Sequence, residues 1–155
     1  MFESRERLAE DIRVLLDGVR AEARGRYACL MEPGRIVFES PEPEAREEWA
    51  LRRLLEERSA ALFSLPGSMA GEGPAEDLFE GCEQDDFLLA FLNGRVAVVV
   101  ACPDAEGVRD AVMRPLRALA DRLFRYNETW RLDEKGHGFF LGSARLDVVV
   151  VGRTG

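Results

Sequence analysis

Two apolar runs flank Asn93-Gly94 near the middle of the chain, at residues 87–92 and 96–102. Asn-Gly between such runs predicts a β-hairpin, because a type I′ turn requires positive φ at both central residues. A half-solvated antiparallel strand alternates apolar with polar residues, and neither run does so. The pattern therefore predicts two interior strands of an antiparallel sheet, with helices covering both faces.

Helical periodicity appears in three further segments. In the first, apolar residues recur three or four positions apart, with Ser4 placed to cap the helix and Gly25 to end it. A second helix is predicted over residues 44–65, ending before Pro66, and a third begins after Pro103-Asp104. The three apolar stripes are, in order, Leu8, Ile12, Leu15, Leu16, Val19 and Ala23; Leu51, Leu54, Leu55, Leu62 and Leu65; and Val108, Val112, Leu116, Leu119, Leu123 and Tyr126.

Shorter segments complete the predicted sheet. Residues 27–31 and 35–39 flank Pro33-Gly34 and predict a second hairpin. Residues 76–86 are strongly acidic and predict a polar edge strand or a loop that leads into the central hairpin. The tail predicts two more strands, at 139–141 and 146–151.

Composition limits the classes of protein to which the chain can belong. It has 155 residues, 46% of them hydrophobic and 32% charged, which is typical of one soluble globular domain. A net charge of −8 disfavours nucleic acid and anionic membranes, and no apolar run approaches the ~20 residues that span a bilayer. The three cysteines lack disulfide or metal spacing, and the start of the chain lacks the pattern of a signal peptide. We expect a cytoplasmic protein with no nucleic-acid partner and no membrane insertion.

No pattern in the sequence indicates catalysis. His137 is the single histidine, and its neighbours offer neither a nucleophile nor an orienting partner, so a solvated turn residue is expected there. The phosphate-binding patterns G-x-x-x-x-G-K-[ST] and G-x-G-x-x-G are missing, as are a G-x-S-x-G elbow and an EF-hand register in the acidic segment. We therefore expect a protein that is not an enzyme and holds neither a cofactor nor a metal.

The second predicted helix has an unusual face opposite its leucines. A helical projection places two large aromatic residues on that face together with charged side chains, and tryptophan and arginine are enriched at interface hot spots. The residues predicted to bind a partner are Trp49, Arg52, Arg53, Glu56 and Phe63. The alternative is that the aromatic residues cover a loop or the tail of the same chain.

The order of the predicted elements, α-ββ-α-βββ-α, resembles that of the roadblock/LC7 family, with the likeness carried by residues 26–38 and 87–123. It covers about residues 4–126. The resemblance implies an α+β, profilin-like fold: a central antiparallel five-stranded sheet with the first and third helices on one face and the second on the other. Residues 1–126 would form the roadblock/LC7-like domain, and residues 127–155 a C-terminal extension, containing the β tail, packed on the same domain.

The resemblance also implies a function. Roadblock proteins are typically dimeric, non-enzymatic regulatory or scaffold subunits that bind Ras-like GTPases or motor complexes. The expected partners are therefore a second copy of the chain and a Ras-like small GTPase. Two alternatives stay open. A GAF-like sensor domain would bind a small ligand in an apolar pocket, and a small acidic protein resembling secretion chaperones would bind an extended polypeptide.

Overall fold

A computed structural model describes residues 5–41, 46–65, 79, 84–92, 96–135 and 146–152; for residues 5, 46–49 and 124–135 it describes the backbone alone. Within these ranges the elements, in chain order, are α1 Arg5–Ala23, β1 Tyr27–Glu32, β2 Arg35–Ser40, α2 Arg46–Glu57, α3 Ser59–Ser64, β3 Asp86–Leu92, β4 Val96–Cys102, α4 Ala105–Lys135 and β5 Leu146–Val151.

The strands form one antiparallel five-stranded sheet in the order β2-β1-β4-β3-β5. The central hairpin is β3 and β4, which pair in register with Leu89 opposite Val99. Each also has a second neighbour, β5 beside β3 and β1 beside β4. The prediction that residues 87–92 and 96–102 are interior strands is therefore confirmed.

The unbroken apolar runs follow from the cover on both faces of the sheet. Because side chains alternate along a strand, odd-numbered residues of β1, β3 and β4 lie on one face and even-numbered residues on the other. The odd face packs against α2 and α3 through Leu51, Leu55, Leu62 and Leu65. The even face packs against α1 and α4. The apolar runs predicted helices on both faces of an antiparallel sheet, and the resemblance implied five strands; both expectations are confirmed.

The fifth strand comes from a different part of the chain than the family order implies. The resemblance puts a third strand just before the central hairpin, within the acidic residues 76–86, most of which lie outside the described residues. In the structure, the strand beside β3 is β5, from the C-terminal tail, with Leu88 opposite Val150. A run of four valines suits a half-buried strand better than a run of carboxylates does. The other strand predicted in the tail, 139–141, lies outside the described residues.

The tail is continuous with the rest of the molecule in two respects. α4 runs without a break from Ala105 to Lys135, so it contains Pro115 and continues past residue 126. β5 then completes the sheet. The division into residues 1–126 and 127–155 stays a prediction.

α1 ends in a Schellman motif. Arg24 adopts a left-handed conformation with φ of 55°, and Gly25 N donates to Arg20 O at 2.9 Å while Arg24 N donates to Ala21 O at 3.1 Å. The residue with positive φ is thus Arg24. Gly25 serves another purpose, since a Cβ there would lie 2.9 Å from Ala101 O in β4. Its missing side chain lets the end of α1 approach the sheet.

The predicted second helix is divided into α2 and α3 at Arg58, where φ is −100° and ψ is 17°. Arg58 is the one charged residue that falls on the leucine stripe. The sheet is contacted by Leu51 and Leu55 of α2, by Leu62 of α3 and by Leu65 directly after α3. The prediction of this stripe is confirmed, with Leu54 partly buried at its border.

Candidate functional site

The five residues predicted to bind a partner do not form one exposed face. Arg53 is exposed, whereas Arg52, Glu56 and Phe63 are half-buried. Trp49 lies in the first turn of α2, and its side chain is outside the described part of the structure. The described part of the proposed surface is therefore divided between one solvent-facing side chain and three that contact the chain's own sheet.

Phe63 was expected to lie away from the core, and the structure corrects this placement. Its ring packs edge-to-face against Phe91 of β3, with centroids 6.0 Å apart and an interplanar angle of 75°. A helix that lies on a sheet buries a wider arc than its most apolar stripe, so side chains on its flank also contact the strands. The prediction that Phe63 also contacts a partner stays a prediction.

Arg52 and Glu56 both contact β2. Arg52 Nε lies 3.2 Å from Glu39 Oε1, and Glu56 Oε2 accepts a hydrogen bond from Ile36 N at 3.4 Å. One turn later, the buried Ser59 Oγ accepts from Gly34 N in the β1–β2 turn. These contacts hold the α2–α3 pair along the β1–β2 hairpin.

Glu39 joins this helix pair to the core. Its side chain is only 12% exposed, and besides Arg52 it contacts Tyr27, whose hydroxyl donates to Glu39 Oε2 at 2.7 Å. Tyr27 is fully buried on the odd face of the sheet.

Burial keeps two neighbours of Glu39, the Tyr27 hydroxyl and the Cys29 thiol, in their neutral forms. Removal from water raises the pKa of the Tyr27 hydroxyl far above its ordinary value, so it remains a donor. Burial likewise raises the pKa of the Cys29 thiol to about 12, with Glu39 adding to the effect and the Tyr27 hydroxyl opposing it. The thiolate is the nucleophilic and metal-binding form of cysteine, so Cys29 is inert at neutral pH.

The described residues also bear on metal binding and membrane insertion. Within the described ranges, no three histidine, cysteine or acidic side chains are grouped so that they could hold a metal ion. None of the helices described is long and apolar enough to cross a membrane. His137 and Cys82 lie outside the described residues.

Sequence reasoning missed Glu39, Tyr27 and Ser59 as parts of this site. Their partners lie 12 to 25 residues away in the chain, so no local spacing connects them. The available signal was weak: an acidic residue near the end of β2, opposite a strand that begins with a tyrosine.

The fold is of the roadblock/LC7 type, as the resemblance implied: a five-stranded antiparallel sheet between one helical layer of α1 and α4 and another of α2 and α3. Among solved structures, it is similar to MglB of Myxococcus xanthus, with a TM-score of 0.51 and 17% sequence identity. The match covers 77% of this chain and 96% of that chain. At this identity the likeness is one of fold. No family model and no curated protein matches the sequence.

Proposed function

We propose that the protein is a non-enzymatic regulator that binds a Ras-like small GTPase in the cytoplasm, as a homodimer that uses α2 as its docking platform. The observation that carries this proposal is the roadblock-type fold, together with its likeness in structure to MglB. Function resides in the surface residues that a fold carries, so the residues of α2 are the ones to test. The same likeness favours a GTPase regulator over a GAF-like sensor or a chaperone.

The outer side of α2 and α3 offers a surface suited to protein contact. Ala50, Arg53, Glu57 and Ala60 are exposed there, which places one charge of each sign among small side chains. Arginine can form two parallel hydrogen bonds with a carboxylate and loses little freedom in doing so. Arg53 is therefore the described residue of the predicted set best placed to bind an acidic group of a partner.

The proposed dimer depends on this same side of α2 rather than on the sheet. A need to cover exposed strands is one reason for a chain of this fold to dimerise. However, residues on both faces of β1, β3 and β4 are already buried within one chain. Trp49 supplies the remaining argument, since tryptophan at an interface contributes ~2 kcal/mol or more when it is a hot spot.

Replacing Trp49 with alanine is expected to weaken dimerisation while leaving the fold intact. Light scattering over a range of concentrations measures the dissociation constant of the dimer, and circular dichroism checks the fold. The expected loss of affinity is about thirtyfold or more, which corresponds to the ~2 kcal/mol or more that a hot spot contributes. A wild-type chain that stays monomeric at the highest concentration would contradict the proposed homodimer.

Binding to purified Ras-like GTPases tests the proposed partner. We expect Arg53→Glu to weaken binding by about tenfold or more, because it replaces a cation that pairs with carboxylates by an anion. Arg109→Glu makes the same charge change at an exposed position of α4, in the opposite helical layer, and is the matched control. Equal losses in both variants would indicate a general effect of net charge and contradict the assignment of α2 as the platform.

A further inference from the structure

The α2–α3 pair is attached to the β1–β2 hairpin by a row of polar contacts. Gly34 contacts Ser59, Ile36 contacts Glu56, and Glu39 contacts Arg52. Residue numbers rise along the hairpin as they fall along the helices, so the two run past each other in opposite directions. The row extends over most of β2 and of the α2–α3 pair.

The three contacts are not equivalent. Those of Ser59 and Glu56 end on backbone amides, so each joins one helical side chain to the main chain of the hairpin. Glu39 uses both of its carboxylate oxygens, one toward Arg52 on α2 and the other toward Tyr27 in the core. It is the member of the row whose side chain connects the helix with a buried strand side chain.

The apolar contacts of α2 leave its orientation less well determined. Leu51 and Leu55 are almost fully buried against the odd face of the sheet. Burial of this stripe sets which face of α2 is turned to the sheet, but hydrophobic contact is non-directional and does not fix the position of the helix along its axis or its angle to the strands. Hydrogen bonds impose distances and angles, and those to charged groups are the stronger ones. The Arg52–Glu39 ion pair adds an attraction between opposite charges whose atoms lie 3.2 Å apart.

We infer that Glu39 is a positioning residue: it fixes α2 on the sheet through Arg52 and Tyr27, and so sets the orientation in which α2 presents Arg53 to a partner. The relevance to a partner rests on the proposed function. The effect on α2 itself does not, and it can be measured in the protein alone.

Hydrogen exchange of Glu39→Gln tests the inference. The amide keeps the size of the side chain and removes the charge that attracts Arg52. Amides of α2 are expected to exchange about tenfold faster, while those of α1 and α4 keep the wild-type rates, because a local opening exposes only the segment that it releases. Tyr27→Phe, which removes the hydroxyl and keeps the ring, is expected to change exchange in the same segment, to a smaller extent.

Asp11→Asn is the matched control. Asp11 accepts hydrogen bonds from Arg122, with Nη2 at 3.0 Å, and this pair joins α1 to α4 on the other layer. Its loss should leave exchange in α2 unchanged. Unchanged α2 exchange in Glu39→Gln would overturn the inference. So would equal acceleration in every element, since that result reports a loss of global stability.

Binding to a GTPase separates this inference from the proposed function. If Glu39→Gln releases α2 but wild type binds no Ras-like GTPase, the positioning role stands and the proposed partner is wrong. If wild type binds and Glu39→Gln weakens binding severalfold, with Asp11→Asn unaffected, both are supported. Binding that Glu39→Gln leaves unchanged, despite released α2 amides, would overturn the link between the orientation of α2 and partner recognition.

Discussion

Replacing Val151 with aspartate is expected to lower the free energy of unfolding by about 3 kcal/mol, because it puts a carboxylate in a buried apolar site. Val151 is 5% exposed, lies opposite Phe87 in the β3–β5 pair and belongs to the cluster beneath α2 and α3. A carboxylate at this position would be surrounded by apolar side chains instead of water. Urea denaturation at neutral pH measures the change.

Val14→Asp is the matched control for this prediction. Val14 is 63% exposed on α1, so the same substitution there should change the free energy of unfolding by no more than about 0.5 kcal/mol. Equal stability of the two variants would contradict the burial of Val151 and the pairing of β5 with β3.

Stability is expected to fall steeply at alkaline pH. Burial raises the pKa of Cys29 to about 12 and that of Cys102 to about 11, above the value of 9.0 for an exposed thiol. Above about pH 9 the unfolded chain releases thiol protons that the native state keeps, so rising pH favours unfolding. Stability contributed by each protonated thiol is present below about pH 9 and is lost as pH rises toward its native pKa. Each pH unit in that window costs about 1.4 kcal/mol for each thiol.

Denaturation under reducing conditions, from neutral pH to about pH 10.5, measures this dependence. By about pH 10.5 Cys29 alone should account for a loss of about 2 kcal/mol, from its native pKa above the ordinary value. Cys29→Ala lowers stability at every pH through lost packing but removes this part of the slope. Parallel curves for wild type and Cys29→Ala would contradict the burial of a neutral thiol beside Glu39.

The parts of the fold that local sequence determines could be predicted. The central hairpin follows from Asn93-Gly94 between two apolar runs. The leucine stripe of α2 and α3 follows from helical spacing, and its burial is confirmed. In each case the physical cause lies within some twenty residues, because turn geometry and side-chain periodicity are local properties.

Features that depend on distant pairs were harder to predict. The tail was predicted to contain a strand at 146–151, but nothing local indicates that it pairs with β3. The contact between Glu39 and Arg52 joins two elements that periodicity describes separately. Phe63 was misplaced for a related reason, since a helical projection gives directions around an axis and does not give the shape of the sheet beneath. Arg24 in the left-handed region, next to a glycine, also reverses the usual expectation for a helix end.

The most direct test of the proposed function is the affinity of the wild-type protein for Ras-like GTPases in their two nucleotide states. The γ-phosphate orders the switch segments of such GTPases, so a regulator that reads those segments distinguishes the states. A panel of purified Ras-like GTPases from the source organism would be titrated in the GDP form and with a non-hydrolysable GTP analogue. The proposed function predicts that at least one member binds, with affinities that differ by about tenfold or more between the states. Absence of binding across the whole panel in both states would contradict it.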